Sequence, residues 1–329
     1  MTIAAELSAL REGAVTGAIA DRRQVAVSGP DRAAFLQGFL TSDVAALSAG
    51  TGGYAAWLTP QGRMLTDLHT FESGDMLLLD VPVAEVVAVA ERLEQFHFAE
   101  DVTIADLSSS LESVWVHGAS APRMLARLAL TEEAHLASWV QYQNTRLTLA
   151  GIDAVVARID QLGVPGYVVY IGVGQGAVLT GALTAIGARP ASPDAIEVAR
   201  IEVGYPVFGV DMTADTIPLE AGIQERAISL SKGCYVGQEV IIRVLHRGHG
   251  RVARRLVGLS VDGNVPPRAA KIFTEDREIG FVTSAAKSPR LGSIALGYVH
   301  RDFIEPGTAV AVDLPSGRAP ATVRPTSAS

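Results

Sequence analysis

The sequence predicts an α+β body over residues 1–250 followed by a small all-β domain over residues 251–329. Three observations lead there. Short strand and helix patterns mingle up to about residue 250 without a regular strand–helix–strand period, which argues against a doubly wound parallel sheet. Beyond Arg251 the apolar runs are short and are separated by Asp262-Gly263, Pro266-Pro267 and Pro306-Gly307, the pattern of a barrel or sandwich. The chain has 329 residues, which fits two or three domains at roughly 100–200 residues each.

Taken in order, residues 24–27 read as a strand, and Ser28-Gly29-Pro30-Asp31 opens a helix with Phe35, Leu36, Phe39 and Leu40 on its core-facing stripe. Residues 53–59 and 64–71 are strands joined by the turn Pro60-Gln61-Gly62. Residues 75–81 form another strand. Residues 84–96 form a helix that buries Val86, Val87, Ala90, Leu93 and Phe96. Residues 111–116 and 146–158 are extended, with a helix over 123–130 between them. In the tail, residues 255–261, 278–284, 293–299 and 309–314 are strands, the residues from Pro325 fray, and the domain boundary falls near Gly248-His249-Gly250.

Composition narrows the function classes. With 48% hydrophobic and 19% charged residues the chain can bury a core, so disorder is excluded. The single cysteine, Cys234, excludes an internal disulfide and a self-contained four-thiolate metal site, and it points to a reducing compartment, the cytoplasm. A net charge of −8 argues against direct nucleic-acid binding. No apolar run approaches the roughly 18 residues of a membrane span, and residues 1–20 lack a signal-peptide pattern. His246 and His249 have no companion ligands, so no metal is expected.

Two segments invite chemistry. Gly172-Val173-Gly174-Gln175-Gly176-Ala177 follows a strand and precedes a helix, the form of a dinucleotide loop. No alternating series of strands and helices continues after it, so a plain strand-to-helix turn is the favoured reading. The second segment is Ser231-Lys232-Gly233-Cys234-Tyr235-Val236-Gly237-Gln238-Glu239. A helix beginning near Val236 would set Cys234 just before a positive dipole end, and Lys232 adds a charge; both favour thiolate. The competing reading is a small buried hydrophobe. Residues 243–255 hold five arginines and no acid, a local basic stripe suited to an anionic ligand or to a solvated linker.

The string Lys232-Gly233-Cys234-Tyr235-Val236-Gly237-Gln238-Glu239 resembles the signature of the YgfZ/GcvT-like folate-binding family, relatives of the glycine cleavage aminomethyltransferase. So do the segments running from Ser28-Gly29-Pro30-Asp31 to Thr41-Ser42-Asp43-Val44, Leu58-Thr59-Pro60-Gln61-Gly62-Arg63, and Arg200-Ile201-Glu202-Val203-Gly204-Tyr205-Pro206. The resemblance implies a GcvT-like folate-binding body of α+β subdomains closed by a C-terminal β-barrel. It implies tetrahydrofolate or a one-carbon derivative as cofactor. It also implies an accessory role in assembly or repair of iron–sulfur enzymes, including tRNA methylthiolation, with transient iron–sulfur partners.

Carried over residue by residue, Glu202 matches the glutamate that holds the pterin. Tyr205, Arg243, Gln238 and Glu239 complete the candidate folate set, and Cys234 with Lys232 forms the reactive-thiol pair. Asp67 falls where the transferases have an Asp-Asp pair, here Thr66-Asp67, and it marks the alternative function, a folate-dependent aminomethyl or one-carbon transferase. Positions where YgfZ relatives carry folate-associated tryptophans hold Arg22 and Ile196.

Overall fold

A computed structural model describes residues 2–246 and 251–326; the predicted boundary at 248–250, together with Arg247, lies outside the described residues. Contacts gather the chain into two compact units. The first comprises Met1–Trp57, Thr66–Ser192 and Arg226–Val236. The second comprises Leu58–Leu65, Pro193–Glu225 and Gly237–Ser329.

The body is α+β. One five-stranded sheet runs, in spatial order, through Gly52–Leu58, Met64–Glu72, Met76–Pro82, Arg22–Ser28 and Thr103–Asp106. A six-stranded sheet runs through Arg189–Pro190, Val15–Ile19, Leu111–His117, Gly166–Gly172, Ile152–Arg158 and Asn144–Leu149. Inside the first unit the sheets meet through Phe71 and Leu78 from one and Ala157, Val168 and Tyr170 from the other. Helices Ala121–Ala129 and Gly176–Ala185 cover the second sheet, burying Leu125, Leu179 and Leu183 against Val114, Val116 and Val169.

The second unit carries a closed six-stranded barrel in the order Arg254–Val261, Gly292–His300, Arg277–Ser288, Lys271–Thr274, Ala309–Leu314 and Gly317–Arg324. Alternate residues such as Val257, Leu259 and Val261 fill it, as the period of two requires. Closure leaves no open edge. Against it, Asp211 is a buried hub. Its Oδ1 accepts from the hydroxyls of Thr283 (2.5 Å) and Ser284 (2.6 Å), and its Oδ2 accepts from Arg200 (2.7 Å) and from the Val207 N–H (3.1 Å). This ties the helix Pro193–Val203 to the barrel wall.

The helix Val86–Gln95 differs from expectation in its buried face. It buries Val86, Val89 and Leu93, positions three and seven apart, and leaves Val87 and Phe96 exposed. The extended stretch 146–158 is a hairpin of two strands, Asn144–Leu149 and Ile152–Arg158. The Cys234 segment leads into a helix that starts at Gln238, after a Val236-Gly237 turn. Among the described residues no helix is long and apolar enough to cross a membrane.

His117 is buried at the end of its strand, opposite Gly166, where a Cβ would lie 2.1 Å from its Nδ1. Burial pushes this imidazole down to about 4 from the usual 6.5. Because the folded value lies below the unfolded one, the stability tied to neutral His117 is complete above pH 6.5 and is lost as pH falls through 4. His117→Gln should therefore flatten the acid limb of stability between pH 6.5 and 4 by up to about 3 kcal/mol, read by urea unfolding across that range. An unchanged slope would contradict the assignment.

Candidate functional site

The five-stranded sheet carries a polar stripe across one face. Strands alternate sides, so Arg22 and Gln24 share a face, as do Asp67 and His69. The register then sets Gln24 and His69 on either side of Asp80. The Asp67 carboxylate, 3% exposed, accepts from the Tyr54 hydroxyl at 2.7 Å and from Arg22 Nη1 at 3.3 Å. Arg22 also donates through Nε to Asp80 Oδ2 at 2.7 Å and through Nη2 to the Asp80 carbonyl at 2.5 Å. Gln24 Nε2 donates to Asp80 Oδ1 at 2.9 Å and reaches Ser113 Oγ at 3.1 Å.

Burial alone would raise the Asp80 carboxyl, but the Arg22 charge and the His69 contact hold it below its ordinary value. Burial lowers His69 more than its Asp80 hydrogen bond raises it, so the ring is neutral. A neutral imidazole with Nδ1 at 3.2 Å from Asp80 Oδ2 carries its proton on Nδ1 and leaves Nε2 as an acceptor. The guanidinium of Arg226 stacks 4.7 Å from the Tyr54 ring. The stripe is a fixed carboxylate with a matched cation and a neutral histidine two residues along the strand.

Lys232 and Cys234 lie together on another part of the first unit. The segment is tied at both ends, by Ser229 N–H to the Thr41 carbonyl (2.9 Å) and Val236 N–H to the Gly38 carbonyl (3.2 Å). Between them the Lys232 ammonium, 8% exposed, donates to the carbonyls of Gln37 (2.6 Å), Leu40 (2.6 Å) and Ser42 (2.7 Å), just past the C-terminal end of helix Arg32–Gln37. Burial lowers Lys232 to about 8, with Asp43 pulling the other way. All three of its donors are engaged in anchoring. Tyr235 is buried, 5.3 Å from the ammonium, while Cys234 is exposed. In the second unit Gly237 has φ +85°, and a Cβ there would lie 2.5 Å from the Thr59 carbonyl, so this glycine is required where the segment passes the Pro60-Gln61-Gly62 turn.

The other candidates fall in the second unit. Glu202 ends the helix Pro193–Val203 with its side chain 5% exposed; Ser288 Oγ donates to Oε1 at 2.6 Å and Arg290 Nη2 to Oε2 at 3.1 Å. Tyr205 follows it and is buried, with its carbonyl accepting from Arg200 at 3.1 Å. Gln238, Glu239 and Arg243 share the helix Gln238–His246, the last two exposed. The structure thus groups Glu202 with Tyr205, the three helix residues with one another, and Lys232 with Cys234, while Asp67 stands in the polar stripe.

Sequence reasoning missed Tyr54, His69 and Asp80 as partners of Asp67. The available signal was polar residues at alternate positions inside otherwise apolar strands, in Thr66-Asp67-Leu68-His69 and Leu79-Asp80-Val81. The glycine loop 172–177 is self-satisfied: the Glu112 carboxylate accepts from the Gly176 N–H that begins the next helix, occupying the N–H group a pyrophosphate would use. Among the described residues no group of three or more His, Cys, Asp or Glu is placed to hold a metal ion.

Lys232→Met should loosen the segment at a cost of about 1–3 kcal/mol, since three carbonyls, that of Leu40 buried, lose a donor. Cys234 should react with Ellman's reagent in the folded protein, one thiol per chain. A thiol that reacts only in denaturant would contradict its placement.

Comparison with known proteins agrees with this architecture. Residues 1–232 match the GCVT N-terminal domain, and residues 254–328 match the glycine cleavage T-protein C-terminal barrel domain. The aminomethyltransferase of Saccharopolyspora erythraea is 30% identical over 97% of this chain and 88% of its own length. That of Geobacillus kaustophilus is 29% identical over 98% and 89%. The solved glycine cleavage system aminomethyltransferase T from Bartonella henselae shares the fold, with a TM-score of 0.88 at 23% identity over 99% of this chain and 89% of its own. With both domains matched in order along the chain, this protein belongs to the glycine cleavage T-protein (GcvT) family.

Proposed function

We propose that this chain binds tetrahydrofolate or a one-carbon derivative and takes part in folate-dependent one-carbon transfer of the aminomethyl type. The observation that carries the reading is Asp67, a buried carboxylate fixed by Tyr54 and Arg22, in a chain whose whole length matches aminomethyltransferases. In this reading the folate, when bound, supplies the nitrogen that takes up the carbon unit. Asp67 provides a preorganised negative charge for the cation that develops there.

Glu202 serves as the pterin acceptor. An ionised carboxylate can accept several hydrogen bonds, and Ser288 and Arg290 orient this one. Tyr205, Gln238 and Glu239 complete the polar set, and Arg243 supplies a cation for the folate carboxylates.

A second reading is favoured by one specific feature, the complete Lys232–Glu239 octapeptide with its thiol exposed on an anchored segment. It makes the protein a YgfZ-type folate-binding accessory for iron–sulfur enzyme assembly or repair in a reducing cytoplasm. Cys234 then meets a transient iron–sulfur client and supplies at most one sulfur ligand. Arg22 against Asp67 also suits this reading, because it neutralises the one carboxylate available for turnover.

The two readings separate in one experiment. Pure protein is incubated with tetrahydrofolate and methylamine-bearing donors, and methylene-tetrahydrofolate is measured. The transferase reading predicts turnover that falls at least about a hundredfold in Asp67→Asn and survives in Cys234→Ala. The accessory reading predicts folate binding without turnover, and failure of Cys234→Ala to restore iron–sulfur enzyme activity in cells lacking the wild-type protein. Absence of folate binding would remove both.

A further inference from the structure

Both oxygens of Asp67 are held, and both holders lead back to one residue. Tyr54 donates to Oδ2, and the Tyr54 ring lies 5.3 Å from the imidazole of His69. Arg22 donates to Oδ1, and Arg22 is fixed by Asp80, whose Oδ2 also meets His69 Nδ1 at 3.2 Å. His69 thus touches one holder directly and the other through a single carboxylate.

The distances rank the contacts of the guanidinium. Arg22 gives Nε to Asp80 Oδ2 at 2.7 Å and Nη2 to the Asp80 carbonyl at 2.5 Å, while Nη1 reaches Asp67 at 3.3 Å. Asp80 has the firmer hold, so the direction of Nη1 follows the Asp80 carboxylate. That carboxylate is clamped from both neighbouring strands, by Gln24 Nε2 on Oδ1 at 2.9 Å and by His69 Nδ1 on Oδ2. The His69 contact fixes the same oxygen that Arg22 Nε uses.

The imidazole is itself firmly seated. It is 1% exposed and lies among Tyr54, Phe71 and Tyr142, with ring centroids at 5.3, 6.2 and 5.8 Å. Among the described residues its Nε2 has no hydrogen-bond partner, so the ring's polar work is done at Nδ1. A side chain that only filled this space would need no nitrogen there, and burying one without use costs about 1–3 kcal/mol.

We propose that His69 is a positioning residue for Asp67, acting on Oδ1 through Asp80 and Arg22 and on Oδ2 through the Tyr54 ring. In this role it touches neither substrate nor cofactor. Its effect on turnover rests on the transferase reading; its effect on the Asp67 carboxylate does not.

Two substitutions separate the ring from its nitrogen. His69→Phe keeps an aromatic ring and loses the donor, whereas His69→Asn sets an amide N–H₂ at the Nδ1 position and keeps the bond to Asp80. The full chain is labelled with ¹³C at its aspartate carboxyl carbons, and the Asp67 signal is assigned through Asp67→Asn. The expected result is an Asp67 signal displaced in His69→Phe and back at the wild-type position in His69→Asn. With tetrahydrofolate and an aminomethyl donor, kcat should fall at least about tenfold in His69→Phe with KM for tetrahydrofolate within about twofold, and recover to within about threefold of wild type in His69→Asn. His69→Leu repeats the comparison if His69→Phe does not fold. An Asp67 signal that stays in place without the donor, or that is displaced equally in His69→Asn, would overturn the proposal. A signal that moves and is restored in a chain without turnover supports the positioning and removes the transferase reading instead.

Discussion

One guanidinium shared between two buried carboxylates organises the body of this protein. Arg22 reaches Asp80 through its side chain and its carbonyl and Asp67 through a further nitrogen, so three strands are held in one register by a single cation. The arrangement is tolerable in a dry sheet because each carboxylate oxygen has at least one donor: Arg22 and Tyr54 on Asp67, Arg22, Gln24 and His69 on Asp80. Removing one member of such a set is expected to cost about 3–5 kcal/mol, far more than the pair contributes over apolar replacements. A stripe this demanding is therefore better understood as specificity than as stability, and it fixes Asp67 in one orientation.

The same device recurs with different chemistry. In the second unit Asp211 gathers Arg200, two barrel hydroxyls and a backbone N–H. Around Cys234 the signs are reversed: a buried ammonium gathers three carbonyls. The octapeptide thus divides its labour. Lys232 and Tyr235 are buried anchors, Gly237 permits a close backbone approach, and Cys234 is exposed.

Much of this was legible in the sequence, and what was not has physical reasons. The α+β body and the β tail followed from pattern, since alternation survives wherever a strand has one buried face. The strand Gly317–Arg324 did not, because its burial alternates with Arg318, Pro320 and Thr322 and no apolar run marks it. Lys271–Thr274 is four residues long, too short to register as a period. The opening helix Ile3–Glu12 was unread, although Thr2 accepts from the Ala5 N–H as its cap. Asp67 was found only through family resemblance. Its partner Arg22 is 45 residues away in sequence and Tyr54 sits across the hairpin, so the pairing needs the strand register to be known. The apolar stripe that puts Val87 and Phe96 inside runs off the true phase, which Val86, Val89 and Leu93 define.

The most direct test of the account is a double-mutant cycle between Arg22 and Asp67, using Arg22→Met, Asp67→Asn and the pair, followed by urea unfolding. Sharing of the buried cation predicts a coupling energy of more than about 1 kcal/mol, with the pair less damaging than the sum of the single changes. Additivity within about 0.3–0.5 kcal/mol would mean that Arg22 does not hold Asp67, and the site described here would lose its organising contact.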